Sequence, residues 1–445
     1  MLSITFIQRM KRMLGDEEYE RYLASFSNPP TRALRTNPVK YPHSRPDALG
    51  EYLISELDFW NGGWTFSHDR IGTHPYHHAG AIYVQEPSAM VPLSSIDIDP
   101  GARVLDMCAS PGGKSTQAAQ KLSSGHLVSN EIVPARAKTL AGNIERTGFR
   151  NVTVTNTDTG TLARLFPSYF DVVIADAPCS GEGMFRKDEG AVAEWSLENV
   201  KMCASRQREI LDNAALCTAP HGKIIYSTCT FSPEENEENV MWFLESHPEF
   251  TLISPSEASK KASTPSHLIP GCRRLYPQNG CGEGQFFAVF EKSADGERLD
   301  FSKKTALEKL PDGERREVIS FLEKNLDSLP EGELYAFKEN VVLIPTSLPV
   351  PEKITYSCGV TLGRVEKKVF RPHHQLFSAL GGLFKNKLDF APSSPELEKY
   401  LHGDTFSTSA PDGWACVTVD SVPLGGVKIS GGTAKNHYPK GLRNN

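Results

Sequence analysis

Two cysteines sit in segments whose composition suits chemistry better than packing. Cys179 lies within Asp176-Ala177-Pro178-Cys179-Ser180-Gly181-Glu182-Gly183, and Cys229 within Ser227-Thr228-Cys229-Thr230. Each follows a short apolar run, 171–175 (DVVIA) and 223–227 (KIIYS), that reads as a buried strand. In an open α/β sheet the residues beyond the carboxyl ends of the strands line the ligand crevice, so both thiols are expected to face one site. A lone cysteine is most often a small buried hydrophobe. Cys203 and Cys217, on a helical stretch, keep that reading. Cys179 and Cys229 differ because each closes a strand beside Pro, Gly or hydroxyl residues.

A third segment, VLDMCASPGGKST over 104–116, joins a strand to a helix through a glycine-rich turn. Such a turn lets backbone N–H groups approach a ligand beside a helix N-terminus. A phosphate-binding loop needs G-x-x-x-x-G-K-[ST]. Gly113-Lys114-Ser115 supplies its second half, but Cys108 stands where the first glycine belongs, and the dinucleotide pattern G-x-G-x-x-G is also missing. Glu131, at the end of the second strand, can accept hydrogen bonds from both hydroxyls of a ribose. Asp158, after the third strand, is within reach of an adenine amine. A glycine loop with a ribose carboxylate and no phosphate chemistry suits S-adenosylmethionine. The loop by itself is explained almost as well by a tight strand–helix turn, so the two acids carry that expectation.

Two thiols beside a methyl donor suggest one reaction in particular. Carbon 5 of a pyrimidine is a poor nucleophile, but a thiolate adding at carbon 6 makes it enamine-like and able to attack a methyl group. The carbon 5 proton must then leave so that the thiol can depart. One cysteine serves as nucleophile, activated in a polar crevice, and the second assists proton removal and release. Asp176 is suited to bind the polar edge of the base, which must first leave its stack.

The elements that hold these segments alternate between strand and helix from about residue 100 to 292. Strands are expected at 102–107, 126–129, 152–155, 171–175, 223–227 and 285–290. Helices are expected over 114–122, 134–146 (closed by Gly148) and 200–216, and from Pro233, with acids in the first turn of that last helix. This pattern predicts a doubly wound, largely parallel sheet. Residues 1–95 begin with an amphipathic helix and continue as a Pro-, Arg- and His-rich stretch. The segment 293–312 is linker-like, a small α/β unit fits about 297–365, and 371–445 carries short strands with many glycines.

Composition bounds the alternatives. The 445 residues hold 48 Lys+Arg and 54 Asp+Glu, a net charge of −6, with 39% hydrophobic and 23% charged residues. This fits several globular domains rather than a disordered chain. No stretch resembles a membrane span, and the apolar start runs into Asp16-Glu17-Glu18 without a cleavage pattern, so neither a membrane nor a signal peptide is expected. Nine cysteines without a CxxC pair suggest neither a disulfide framework nor a metal site, and point to a cytoplasmic protein. The net charge hides local excesses: +3 over 1–50, +5 over 364–388 and +4 over 426–445, with compensating acid at Glu234-Glu235-Asn236-Glu237-Glu238. These basic stretches can grip phosphates, with binding that weakens as salt rises, although tails and solvated faces are often charged without function.

Taken together, QEPSAM (85–90), DMCASPGGKS (106–115), DAPCSGEGMFR (176–186), YSTCTFSPEENE (226–237), RRLYP (273–277) and GEGQFFAVF (282–290) closely resemble the Sun-type RNA cytosine-5 methyltransferases. The likeness is greatest to the bacterial RsmF-like ribosomal RNA enzymes. It extends to RMKRMLGDEEY (9–19), LRTN (34–37) and KNHYPKGLR (435–443), and so spans nearly the whole chain.

The resemblance implies a Rossmann-like S-adenosylmethionine-dependent methyltransferase core over 96–293. Around it would lie an N-terminal RNA-binding segment (1–95), a small α/β intermediate domain (294–370) and a PUA-like RNA-binding domain (371–445). It makes Cys229 the nucleophile and Cys179 the residue needed for release. Its cofactor contacts fall on Cys108, Ala109, Ser110, Pro111, Gly112, Gly113 and Lys114, with Glu131, Asp158 and Asp176, while Lys114 and Asp176 also touch the target base. The expected partner is 16S ribosomal RNA or the small ribosomal subunit, bound by a monomer. Transfer RNA is the alternative substrate, and a non-catalytic ribosome-assembly RNA-binding protein is the alternative class, though a pure binder needs neither thiol. A redox protein is disfavoured by the lack of CxxC and the presence of the loop.

Overall fold

The computed structural model describes residues 2–301, 305–345 and 347–444; residues 302–304 of the linker-like stretch lie outside the described residues. At its centre is a ten-stranded sheet. Five strands, Thr218–Thr228, Phe170–Asp176, Arg103–Asp106, His126–Asn130 and Val152–Thr155, run parallel in that spatial order. The chain starts in the middle, winds outward to Val152–Thr155, then returns past its starting strand. This leaves a topological switch point between Arg103–Asp106 and Phe170–Asp176, where such sheets open a crevice at their carboxyl ends. Strands such as Val152–Thr155 are buried along their whole length, as a sheet with helices on both faces requires.

Gln285–Lys292 adds antiparallel beside Thr218–Thr228, with Phe286 opposite Thr228. At the opposite edge Thr355–Cys358 pairs antiparallel with Val152–Thr155. This last strand comes from the expected intermediate region, so that region is tied into the core sheet by backbone hydrogen bonds. The rest of the region forms a second sheet from Glu308–Lys309, Glu333–Phe337, Asn340–Ile344, Val360–Glu366 and Val369–Pro372, packed on the helix Asp312–Asn325. The C-terminal sheet is built on the long hairpin Gly413–Val419 and Val422–Ser430.

Ahead of the core, the helix Ile4–Leu14 is capped by Ser3, whose hydroxyl accepts from the Phe6 N–H, and buries Phe6 and Met10. A second helix, Asp16–Ser25, follows at once and buries Tyr19 and Tyr22. A four-stranded antiparallel sheet over residues 33–84 occupies what the sequence showed only as a Pro-, Arg- and His-rich stretch.

The acidic run 234–238 departs from expectation. The helix there begins at Glu237, not at Pro233, and only Glu238 of the four acids is exposed. Glu234 pairs with Arg9 at 2.6 Å, and Glu237 forms a buried ion pair with Arg274 at 2.5 Å. These carboxylates are structural partners rather than solvated compensation. The basic excess over 1–50 is likewise partly committed: Arg32 pairs with Asp69, Arg21 with Glu18, and Arg35 is buried.

Candidate active site

The loops at the carboxyl ends of the parallel strands meet at the switch point. Asp176 ends its strand opposite Ser227 of the neighbouring one, and the Ser227 hydroxyl donates to Asp176 Oδ1 at 2.6 Å. The strand register therefore carries the two cysteine loops forward side by side. Sγ of Cys179 lies 3.0 Å from Sγ of Cys229, a thiol–thiol hydrogen bond, and both side chains are partly accessible. That bond raises the Cys179 thiol well above the ordinary range, with burial adding to it. Cys179 therefore holds its proton firmly beside Cys229.

A buried network fixes this approach. Ser180, next after Cys179, donates its N–H to Glu235 Oε2 at 3.0 Å and its hydroxyl to Glu235 Oε1. Its hydroxyl also lies 2.8 Å from that of Thr230, next after Cys229. Gln207 donates to Glu235 at 2.8 Å and to the Pro178 carbonyl at 2.9 Å. Burial pushes the Glu235 carboxyl up to about 7. On the other side Gly183 donates its N–H to the Cys229 carbonyl at 2.8 Å. A Cβ at Gly183 would stand 2.9 Å from both that carbonyl oxygen and the one of Gly284, which is why the loop needs glycine here. Glu182 accepts from the Phe231 N–H at 2.8 Å and the Ser232 hydroxyl at 2.7 Å, a further tie between the loops.

Lys114 extends from the first turn of the helix Gly113–Ala119, and its Nζ meets Asp176 Oδ2 at 2.8 Å. Gln285, from the antiparallel strand, approaches Asp176 Oδ1 at 3.3 Å. Behind them Asp106 is fully buried, accepts from the Ser115 hydroxyl at 2.7 Å, and leaves Oδ1 without a partner among the described residues. Burial raises its carboxyl to about 7. The Cys108 thiol is pushed up by burial first, then by the nearby carboxylates of Asp106, Asp176 and Glu131, so these acids converge around it.

The glycine loop is tied at each step. The Ala109 N–H donates to the Asn130 carbonyl at 2.8 Å, the Ser110 hydroxyl to the Arg136 carbonyl at 3.0 Å, and Asn143 to the Pro111 carbonyl at 2.8 Å. Gly112, at φ +112°, makes the turn into the helix in a conformation closed to other residues. Glu131 is buried at the end of its strand, accepts from the Val133 N–H at 2.9 Å, and has Arg136 at 3.6 Å. Asp158 is exposed and caps the helix Thr159–Leu165, accepting from the Thr161 N–H and hydroxyl at 2.8 Å each.

Sequence reasoning found the thiols, the loop and the acids at strand ends. It missed Ser180, Gln207, Thr230 and Glu235, and the only trace of Glu235 was an acidic run read as a helix start. Among the described residues no group of His, Cys, Asp and Glu could hold a metal, and no helix is long and apolar enough to cross a membrane.

Comparison with known proteins places the chain in a family. Residues 94–291 match the model of the 16S rRNA methyltransferase RsmB/F family, 2–87 that of the N-terminal domain of 16S rRNA methyltransferase RsmF, and 381–444 that of the methyltransferase RsmF PUA domain. Ribosomal RNA small subunit methyltransferase F of Cronobacter sakazakii is 34% identical, over 95% of this chain and 92% of its own. The protein of the same name from Enterobacter sp. is 30% identical over 98% and 95%. Among solved structures, a methyltransferase homolog protein from Pyrococcus horikoshii superposes with a TM-score of 0.55 at 26% identity, covering 65% of this chain and all of its own. NSun6 from the same organism, solved with SFG, shares the fold at a TM-score of 0.57 and 20% identity, over 65% and 98%. The matches, nearly end to end, establish that the chain belongs to the ribosomal RNA small subunit methyltransferase F family, the RsmF branch of the RsmB/F methyltransferases.

Proposed function

We propose that this protein methylates carbon 5 of cytosine in 16S ribosomal RNA, using S-adenosylmethionine, through a covalent bond from Cys229 to carbon 6. The observation that carries this reading is the 3.0 Å approach of Cys179 and Cys229 beside the Lys114–Asp176 pair.

The residues present fit the cofactor. Asp106 keeps an unpartnered buried oxygen, Glu131 offers a buried carboxylate at the ribose position, and Gly112 opens the turn. Residues 108–114, Glu131 and Asp176 would hold it, with Asp158 toward the adenine amine. When bound it supplies an electrophilic methyl group. Asp176 accepts from the exocyclic amine of the flipped cytosine, and Lys114 neutralises that carboxylate and reaches the base.

Cys229 enters as the thiolate, stabilised by the proton that Cys179 donates across the pair. Its electron pair forms the bond to carbon 6, which makes carbon 5 nucleophilic toward the methyl group of a bound donor, from which S-adenosylhomocysteine would leave as the S–methyl bond breaks. Once the Cys229 sulfur is bonded to carbon, the hydrogen bond and charge that held the proton on Cys179 are gone. Cys179 then gives its proton to solvent through the open crevice, and the resulting thiolate takes the carbon 5 proton. The π bond re-forms, and Cys229 leaves as thiolate.

The same reading divides the chain into an RNA-binding segment 1–95, the core 96–293 with the added strand Thr355–Cys358, an intermediate domain 294–370 and the PUA-like domain 371–445. It has the protein act as a cytoplasmic monomer on the small subunit or its RNA. Replacing Cys229 with Ser should abolish methyl transfer, whereas Cys179→Ser should accumulate a covalent protein–RNA adduct. Full activity in Cys229→Ser would overturn the mechanism. Bisulfite mapping of ribosomal and transfer RNA from a deletion strain should show one or more 5-methylcytosines missing from 16S RNA. A loss in transfer RNA instead would redirect the substrate.

A further inference from the structure

Arg35 is fully buried, at 0% exposure, and among the described residues meets no carboxylate. It stands on the strand Ala33–Thr36 of the N-terminal sheet, yet its guanidinium enters the methyltransferase core. Nε donates to Gln85 Oε1 at 2.9 Å and Nη1 to Gln120 Oε1 at 2.9 Å. Nη2 donates to the Gly113 carbonyl at 3.0 Å and to the Thr116 hydroxyl. Every acceptor is neutral. The group lies 4.8 Å from the ring centre of Tyr83, its partner across the strand pair. Burial lowers its proton affinity to about 9, which leaves it charged at neutral pH. Such a cation is costly to bury and persists where its hydrogen bonds hold something in place.

What it holds is the turn into the cofactor helix. Gly113 and Thr116 form the first turn of that helix, and the Thr116 hydroxyl donates onward to the Gly112 carbonyl at 2.6 Å. Gln85 closes on the same spot, since a Cβ at Gly113 would stand 3.2 Å from its Cδ. The Tyr83 hydroxyl lies 3.5 Å from the Pro111 carbonyl. One face of the N-terminal sheet thus braces residues 111–116.

We propose that Arg35 is a positioning residue for the cofactor, holding the Pro111–Lys114 turn through Gly113 and Thr116 in the shape that receives S-adenosylmethionine. The N-terminal domain is therefore part of the cofactor site as well as a candidate RNA surface. The inference rests on the reading of residues 108–114 as cofactor contacts.

Calorimetric titration of the full chain with S-adenosylhomocysteine tests it, with RNA affinity and thermal melting measured in parallel. Arg35→Met should weaken cofactor binding about tenfold or more, as the loss of hydrogen bonds from a charged donor implies. The KM for S-adenosylmethionine should rise more than kcat falls, and RNA affinity without cofactor should hold. Arg35→Lys, which keeps the charge but gathers its donors on one nitrogen, should recover part of the loss. If Arg35→Met does not fold, Arg35→Lys alone decides, and wild-type cofactor affinity in it overturns the proposal. A parallel fall in RNA and cofactor affinity also overturns it, by showing general loosening. Gly112→Ala separates the two readings. If that variant binds cofactor normally, the loop assignment itself falls; if it weakens binding while Arg35→Met does not, only the role of Arg35 falls.

Discussion

Replacing Ser180 with Ala removes a single oxygen yet cuts two of the links that hold the thiols together. The Ser180 hydroxyl donates to Glu235 and sits 2.8 Å from that of Thr230, so it couples the residue after Cys179 to the residue after Cys229. At pH 8, above the Glu235 titration near 7, the acceptor is ionised. A hydrogen bond to a charged group contributes about 1.5–3 kcal/mol, and the change also leaves a buried Thr230 hydroxyl and a Glu235 oxygen short of a partner. We therefore expect the Cys179 loop to lose about 2 kcal/mol, which is about 30-fold if all of it appears in one step. That step should be release of the enzyme. The Cys229 loop keeps its own anchor in the Gly183 N–H, so methyl transfer should slow less than breakdown of the adduct. Single-turnover reactions on 16S RNA, quenched and run on denaturing gels, read both at once. If the adduct breaks down at the wild-type rate while unfolding stability falls by the full amount, the hydroxyl braces the fold and does not set the thiol geometry.

Two further outcomes concern the buried acids. Burial lifts the Glu235 carboxyl from the ordinary glutamate value of 4.5 to about 7. A raised value in the folded state means that its contribution is fully present below about pH 4.5 and is lost as pH rises through about 7, amounting to ~3 kcal/mol. Glu235→Gln, which does not titrate, should therefore gain stability relative to the wild type between pH 5 and 8 in urea melts; a pH-independent difference would contradict the argument. Arg274→Met leaves Glu237 buried and unpaired, and should cost about 3–5 kcal/mol, whereas Arg274→Met with Glu237→Met should cost less. A double-variant loss equal to the sum of the losses in Arg274→Met and Glu237→Met would show that the pair is not coupled.

Local pattern was enough for much of this protein. The apolar runs of the parallel strands, the glycine turn before Lys114 and the hydroxyl-flanked cysteines are all short-range features. Strand periodicity and turn chemistry act within a few residues, so the neighbours alone reveal them. The order of the motifs then identified the chemistry, because a thiol after each of two parallel strands must face the same crevice.

What stayed hidden depends on distant partners. Nothing local separates Glu235 and Glu237, which are buried, from Glu238, which is exposed, since Gln207, Ser180 and Arg274 decide the matter from 28, 55 and 37 residues away. The same holds for Thr355–Cys358, which pairs with Val152–Thr155 far back in the chain. Arg35 looked like one more basic residue in a stretch suited to RNA, and only the packing of the N-terminal sheet against Gly113 and Thr116 reassigns it. The sequence by itself therefore determined which groups are the candidates for the chemistry and at which strand ends they stand. The tertiary structure alone decided how closely the two sulfurs approach and which charges are spent inside the protein. Both depend on sheet register and on burial between elements far apart in the chain, and no local pattern encodes either.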